Sequence, residues 1–380
     1  MNEPPYDPDA RRDTPLALKL KERIRREGPL TVAQYMRACL SDPEHGYYVK
    51  QQAIGAKGDF VTAPEISQVF GELIGLWSAV VWQQMGSPRR FNLVELGPGR
   101  GTMMADALRA ARIVPGFMES ADIHLIEANN VLIELQRKSL AALAPNAQWH
   151  PQIATALGPD CTIPAAPTII LANEFLDTLP ISQFIFKNGQ WWERAVGLNA
   201  DAHLTMTVLA EPDDTFSPTL GPDYVAQDGD IHERSGDLVV FATTVLQMLE
   251  TSTPYAGLLI DYGHSRSGVG DTLQAVEHHH YVSPLYAPGE TDLTAHVDFE
   301  MFAQLMEGTG KSNTDGPTTQ AEFLGRLGIM ERASRLMSAN PNIAHEIELG
   351  AARLMAVPGM GDRFKAIGVR APNLPPLPGF

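Results

Sequence analysis

Residues 91–102, FNLVELGPGRGT, end an apolar β-type run in an acid, Glu95, and then place glycines at 97, 99 and 101 around Pro98. Alternate glycines allow a tight turn and close backbone approach, and a helix opening near Arg100 would aim its free N–H groups at a ligand. This is chemistry for a nucleotide-type molecule. A dinucleotide fingerprint needs its third glycine at position 102, where this chain has Thr102, with Gly101 one place early. An acid followed by alternating glycines is instead the usual entrance to a class I methyltransferase, so the spacing favours S-adenosylmethionine.

Two further groups of polar residues end apolar runs. Glu127 closes DIHLIEA and is placed to accept hydrogen bonds from two ribose hydroxyls; the competing role is an acid capping the next helix. Asn173, Glu174 and Asp177, in ANEFLDTLP, fall where a methyl acceptor would meet a sulfonium. In-line methyl transfer needs positioning and charge stabilisation more than a strong base, and paired carboxylates would orient a guanidinium. If the segment turns helically, Glu174 and Asp177 share a face; capping of the turn before Pro180 is the competing role. The segment differs from the NPPY form of adenine and glutamine methyltransferases. Asp261, Tyr262 and His264, in IDYGHS, are placed equally well for substrate contact or for packing a strand end. His278, His279 and His280 are consecutive, so on a strand they alternate faces, and no metal site is expected. Trp191 and Trp192 read as hairpin packing.

The elements that must carry these residues alternate. From residue 91 the pattern runs FNLVEL, TMMADALRAAR, DIHLIEA, VLIELQRKSLAAL, AQWH and PTIILANEF, with nearly continuous apolar strands, the mark of a parallel sheet covered on both faces. Residues 16–28 and 32–40 read as two helices, the second capped by Thr31. Residues 44–65 read as a long loop, and a buried helix starts at Pro64 with Ile66, Val69, Phe70, Leu73, Trp77 and Val80 on one stripe. QFIFK, QWWERAVGL and HLTMTVLA read as antiparallel strands, with Asn188-Gly189 as a hairpin turn, and a Pro/Asp-rich loop follows. The rhythm resumes with DLVVFATTVLQML as a helix and YAGLLIDYG as a strand. Further on, GDTLQAVEHHHYV reads as a strand, DFEMFAQLMEGTG and TQAEFLGRLGI as helices, RFKAIGVR as an edge strand, and the proline-rich 372–378 as irregular or disordered.

Bulk properties narrow the partners. With 29 Lys plus Arg against 45 Asp plus Glu, a net charge of −16 and a pI near 5.1, the chain offers no general attraction for phosphate backbones, so nucleic acid is not expected as a substrate. An acidic surface suits a basic protein segment carrying arginine, and equally suits plain solubility. Cys39 and Cys161 lie far apart with no CxxC pair, which fits a reducing compartment. The polar, acidic first residues lack a signal-peptide core, and residues 66–85 carry too many polar groups for a membrane span, so a cytoplasmic bacterial protein without membrane insertion is expected.

Taken together, GDFVTAPEISQVFGELIGLW (58–77), VELGPGRGTMMADALR (94–109), ANEFLDTLPISQF (172–184), LIDYG (259–263), LTAHVDF (293–299) and TQAEFLGRLGI (319–329) resemble the MidA-like family, in matching order from about residue 15 to 370. The resemblance implies an α/β fold: a Rossmann-like class I methyltransferase sheet with N-terminal helices, a β-rich insertion between core strands 4 and 5, and a helical C-terminal addition. The expected division is 1–64 for the N-terminal helices and lid loop, 65–179 and 236–370 for the core, 180–235 for the insertion and 371–380 for the tail. It implies S-adenosyl-L-methionine as cofactor, with contacts at Glu95, Gly97, Pro98, Gly99, Gly101, Glu127 and the Asn173–Glu174 turn. It also draws in Gly58, Asp59, Thr62, Pro64 and Glu65, as a loop closing over the cofactor. The implied acceptor is an arginine of the 49-kDa-type subunit of respiratory complex I, dimethylated symmetrically. A methyltransferase for another protein or a small molecule, or a non-catalytic complex I assembly chaperone, stands as the alternative. Residues 277–282, EHHHYV, depart from the single histidine more usual in relatives.

Overall fold

The computed structural model describes residues 6–49, 62–153, 156, 162–213, 215–218, 220–221, 224–251 and 253–380. They form two compact units, one from residues 61–176, 240–265 and 297–380, the other from 1–60, 177–239 and 266–296.

The first unit is built on an eight-stranded sheet whose main path has seven strands, β1 (Phe91–Leu96), β2 (Ala121–Ile126), β3 (Gln148–His150), β4 (Thr168–Asn173), β5 (Tyr255–His264), β6 (Asn313–Thr319) and β7 (Phe364–Arg370), with the two-residue strand Val297–Asp298 pairing the end of β5 off that path. Their order is β6-β7-β5-β4-β1-β2-β3. Neighbours are parallel except for the two pairs made by β7. The continuous apolar runs have a direct consequence: all six residues of β1 and the first eight of β5 are buried, as a sheet covered on both faces requires. Chain order reverses between β1 and β4, so their carboxyl ends open the crevice in which such sheets bind ligands.

Helices α1 (Gln68–Gln84), α2 (Thr102–Ala111) and α3 (Asn130–Leu140) hold that crevice in shape. A Cβ at Gly71 would lie 2.6 Å from the Asp106 Cβ, and one at Gly75 would lie 2.1 Å from the Ala107 carbonyl oxygen. Only glycine lets α1 approach α2 this closely, and the contact fixes where α2 begins. The expected helix from Pro64 is interrupted. A short helix, Ala63–Ile66, stops at Ser67, whose backbone is extended (φ −154°) and whose Oγ caps α1 by accepting the Val69 N–H. Val80, expected on the buried stripe, is exposed, while Ile74 and Val81 are buried.

The C-terminal part differs most from expectation. β7 is an interior strand, and the edge is β6, NTDGPTT, in which Asn, Asp, Gly and Pro outweigh the strand preference of the threonines. The expected helix over 319–329 breaks at Gly328 (φ +83°) into Gln320–Arg326 and Ile329–Ala339, and Ala344–Met355 adds another. The proline-rich tail is irregular yet packed. Leu374 and Leu377 are buried, the Phe380 ring meets Phe323, and the Pro378 carbonyl accepts the Trp77 indole N–H at 3.0 Å.

The second unit has the two expected helices, Pro15–Glu27 and Val32–Ser41, the latter opened by a Thr31/Gln34 capping box. They bury Leu16, Leu20, Tyr35 and Met36 in one cluster with Val196, Leu204 and Leu293. Its antiparallel sheet orders Leu30–Thr31, Gln190–Leu198, Ser182–Lys187 and Ile231–Arg234, with Leu204–Val208 also on Gln190–Leu198. Asn188 and Gly189 (φ +52° and +79°) make the hairpin turn that their sequence predicts. Trp191 packs on Phe186 and Phe216, and Trp192 donates to the Lys187 carbonyl. Residues 266–296, which the sequence placed with the parallel sheet, fall in this unit. There, Gln274–Glu277 and His280–Val282 form a hairpin, with His278 and His279 (φ +50° and +66°) as its turn, so the histidines do not alternate along one strand. Among the described residues no helix is long and apolar enough to cross a membrane.

Candidate active site

The glycine loop follows β1 directly. Gly97, Gly99 and Gly101 all have positive φ (+60°, +53° and +78°), a run that residues with a side chain rarely adopt. Space is limiting too: a Cβ at Gly97 would lie 2.8 Å from the Phe175 ring, and one at Gly101 would lie 3.3 Å from the Gln136 Cα. The Gly97 N–H donates to the Ile126 carbonyl and the Gly101 N–H to the Pro98 carbonyl, so the turn is closed across Pro98–Gly101 and tied to the end of β2. α2 starts at Thr102, the first residue of the expected helix TMMADALRAAR, where Gly101 takes the left-handed conformation that ends the turn.

Two carboxylates face this loop from the strand ends. Glu95 is buried, and its Oε2 has no hydrogen-bond partner among the described residues. Burial, with repulsion from the Glu127 carboxylate, pushes its pKa up to about 8. Glu127 is also raised by burial, against the pull of the Asn129 N–H, the Gln136 amide and the Ala128 backbone. Its Oε1 accepts the Asn129 N–H at 2.8 Å and its Oε2 accepts Gln136 Nε2 at 3.2 Å. The cap of α3 is Asn129, whose Oδ1 accepts the Val131 N–H, so Glu127 is not the capping acid.

At the end of β4, Asn173 donates from Nδ2 to Glu174 Oε1 at 3.0 Å, while its own Oδ1 is buried without a partner among the described residues. Glu174 has φ +51°, a strained conformation for a residue with a side chain, and its N–H donates to the Ile260 carbonyl. The turn is held from β5: Asp261 Oδ2 accepts the N–H groups of Phe175 (3.0 Å) and Leu176 (2.8 Å), and Oδ1 accepts that of Tyr262. Of the two roles open to Asp261, the structure shows the packing one. Because Glu174 is in the left-handed region and only Leu176–Thr178 turns helically, Glu174 and Asp177 do not share a helix face. Asp177 belongs to the second unit, where its carbonyl accepts the Ala295 N–H.

The segment before α1 reaches the same site. Thr62 opens the short helix, Pro64 sits in its first turn, the Ala63 N–H donates to Glu174 Oε1 at 2.8 Å, and Glu65 accepts the Thr102 hydroxyl at the head of α2. Gly58 and Asp59 lie outside the described residues. The structure therefore gathers Glu95, the glycine loop, Glu127, Asn173, Glu174 and residues 62–65 around one crevice. It adds Gln136 and Asp261 as the groups that hold them. Gln136 could have been found: with Leu132 and Leu140 it lies on the buried i, i+4 stripe of α3, where a polar side chain needs a partner.

The chain is similar to known proteins over most of its length. The model of a family described as S-adenosyl-L-methionine-dependent methyltransferases matches residues 73–318. Protein arginine methyltransferase NDUFAF7, mitochondrial, from Homo sapiens is 34% identical over 96% of this chain and 84% of its own length. Its Caenorhabditis elegans homolog is 34% identical over 91% of this chain and 84% of its own length. A crystal structure from Burkholderia thailandensis, bound to S-adenosyl-homocysteine, superposes with a TM-score of 0.83 over 98% of both chains at 24% identity, which shows the shared fold.

Proposed function

Because the chain belongs to this S-adenosyl-L-methionine-dependent methyltransferase family, we propose that it methylates an arginine side chain of a protein. The proposed acceptor is the 49-kDa-type subunit of respiratory complex I, dimethylated symmetrically during assembly. The names of the curated relatives support arginine as the acceptor class; the acceptor protein rests on the resemblance of the motifs. Those names also place the relatives in mitochondria; the buried, free Cys39 thiol fits a reducing compartment, and a bacterial cytoplasm is proposed for this chain on the sequence reading alone.

One observation carries the cofactor assignment to these residues. Glu95 Oε2 and Asn173 Oδ1, from the ends of the adjacent strands β1 and β4, are buried acceptors without partners among the described residues. A buried acceptor left unpaired costs about 1–3 kcal/mol, so the pair fits a ligand rich in donors and positive charge, such as one with an ammonium and ribose hydroxyls. When bound, S-adenosylmethionine supplies a methyl group activated by its sulfonium. In this proposal Glu127 receives the ribose hydroxyls on its remaining lone pairs, while the glycine loop offers backbone with no side chain in the way. Thr62, Pro64 and Glu65 border the cofactor, and Gly58 and Asp59 are proposed with them from the motif alone.

Glu174 is assigned the guanidinium. Its carboxylate is held by the Ala63 N–H and the Asn173 amide, so it is oriented before an acceptor arrives. As an arginine nitrogen forms its bond to the methyl carbon, the carbon–sulfur bond breaks with its electron pair left on sulfur, and the proton shed by nitrogen passes to Glu174 or water. Asp177 is not required by this proposal.

The test is transfer of label from S-adenosylmethionine to the purified complex I subunit, with Glu174→Gln alongside. The expected result is label on arginine, reduced about 100-fold in the variant with cofactor affinity kept within about threefold. Cofactor binding without label on arginine overturns the acceptor; absent cofactor binding would favour the chaperone reading.

A further inference from the structure

We infer that Gln136 is a positioning residue for the cofactor, clamping the glycine loop and the Glu127 carboxylate into one frame; this rests on the cofactor reading above. The side chain is fully buried and three of its four hydrogen-bonding directions are committed. Nε2 donates to the Gly99 carbonyl at 2.7 Å and to Glu127 Oε2 at 3.2 Å, while Oε1 accepts the Trp149 indole N–H at 2.8 Å. The orientation of the amide is unambiguous on chemical grounds. A flipped amide would set its oxygen against a carbonyl and a carboxylate and its NH₂ against an indole N–H.

Each bond has a consequence for the crevice. A trans peptide points its C=O and the following N–H in opposite directions, so pinning the Gly99 carbonyl toward α3 turns the Arg100 N–H away from Gln136. That keeps a loop of three left-handed glycines, which has little conformational preference of its own, in a single shape. Donation to Oε2, opposite the Asn129 N–H on Oε1, fixes the plane of the Glu127 carboxylate and leaves lone pairs on both oxygens for two hydroxyls. Trp149 anchors the clamp from β3, and its ring is itself held under the Arg137 guanidinium at 4.2 Å. Gly101 admits the clamp, since a Cβ there would lie 3.3 Å from both Cα and Cγ of Gln136.

The test is calorimetric binding of S-adenosylhomocysteine and of its 2′,3′-dideoxyribose analogue to the full chain and to Gln136→Leu. The variant should bind the hydroxylated ligand about tenfold more weakly, and the dideoxy ligand only about threefold more weakly, because the part of the loss that runs through Glu127 vanishes with the hydroxyls. Equal losses for both ligands would overturn the positioning role and leave a merely structural one; so would unchanged affinity. Trp149→Phe, which removes the donor to Oε1 and keeps an aromatic ring, provides the second variant if Gln136→Leu does not fold. It should shift the two affinities in the same unequal way, about threefold for the hydroxylated ligand, and an equal shift or none overturns the clamp. If the unmodified protein binds neither ligand, the cofactor reading fails instead.

Discussion

Replacing Glu95 with glutamine removes a buried ionisable group and keeps its shape, so its effect isolates the charge. In the ligand-free protein the carboxyl's pKa stands at about 8, raised first by burial and then by the Glu127 carboxylate. At pH 7 such a group is protonated about 10:1. A ligand that sets an ammonium or hydroxyl donors against the unpaired Oε2 prefers the carboxylate, so binding at pH 7 should expel about 0.9 of a proton. Apparent affinity should then rise about tenfold, or ~1.4 kcal/mol, between pH 7 and 9 from this group alone. The α-amino group of S-adenosylhomocysteine also titrates in the alkaline range, but the free ligand does so identically against both proteins, so the ratio of wild-type to Glu95→Gln affinity isolates Glu95. Calorimetry in two buffers of different ionisation enthalpy reads the proton directly. Identical pH profiles for the two proteins, or no proton released by the wild type, would refute the assignment of Glu95 to the ligand. The same group acts on folding with a definite sign. Its folded pKa lies above the unfolded value, so the folded state keeps a proton the unfolded chain has lost. The ligand-free protein should therefore lose stability relative to Glu95→Gln as pH rises from about 4.5 to 8.

Three other perturbations follow from the geometry. Gly99→Val puts a β-branched side chain at φ +53° in the loop and should reduce S-adenosylmethionine affinity at least ~100-fold by calorimetry; retained affinity would show that the loop does not contact the ligand. In Asp261→Asn only one oxygen remains for the three N–H groups of Phe175, Leu176 and Tyr262, so urea denaturation should show a loss of ~2 kcal/mol, together with a lower methyl-transfer rate as the Glu174 turn loosens. Truncation after Asn373 removes two buried leucines, Leu374 and Leu377, and the Phe380 ring from the first unit. At ~2 kcal/mol per leucine before the entropy of the freed tail is counted, the urea midpoint should fall clearly; an unchanged midpoint would mean that the tail contributes nothing to stability.

How far the site was legible in the sequence follows from which residues act locally. A glycine at every second position after an apolar strand is a local signal: it permits positive φ at those residues wherever the strand goes, and Glu95 is carried to the strand end with it. The strands β1, β2, β4 and β5 were equally readable, since burial on both faces demands continuous apolar runs. Residues acting over a distance were not readable. Asp261 serves N–H groups contributed by Phe175 and Leu176, and Gln136 serves a carbonyl at Gly99; no spacing within one segment encodes either pairing. β6 escaped because Asn, Asp, Gly and Pro interrupt the threonines of NTDGPTT, which is recruited by the ladder of β7. The break at Ser67 escaped because one extended residue inside an apolar helical pattern leaves the periodicity nearly intact.

By itself, then, the amino-acid sequence determined the alternation of strand and helix, the left-handed turn after β1 and the acids that end β1 and β2, because each of these depends on backbone preference or on burial averaged over a whole strand. Tertiary structure alone decided that Glu174 adopts a strained φ held by its neighbours, that Asp177 stands in the other unit, and that Gln136 joins loop and carboxylate, because hydrogen bonds between segments distant in sequence exist only once the sheet has set their separation.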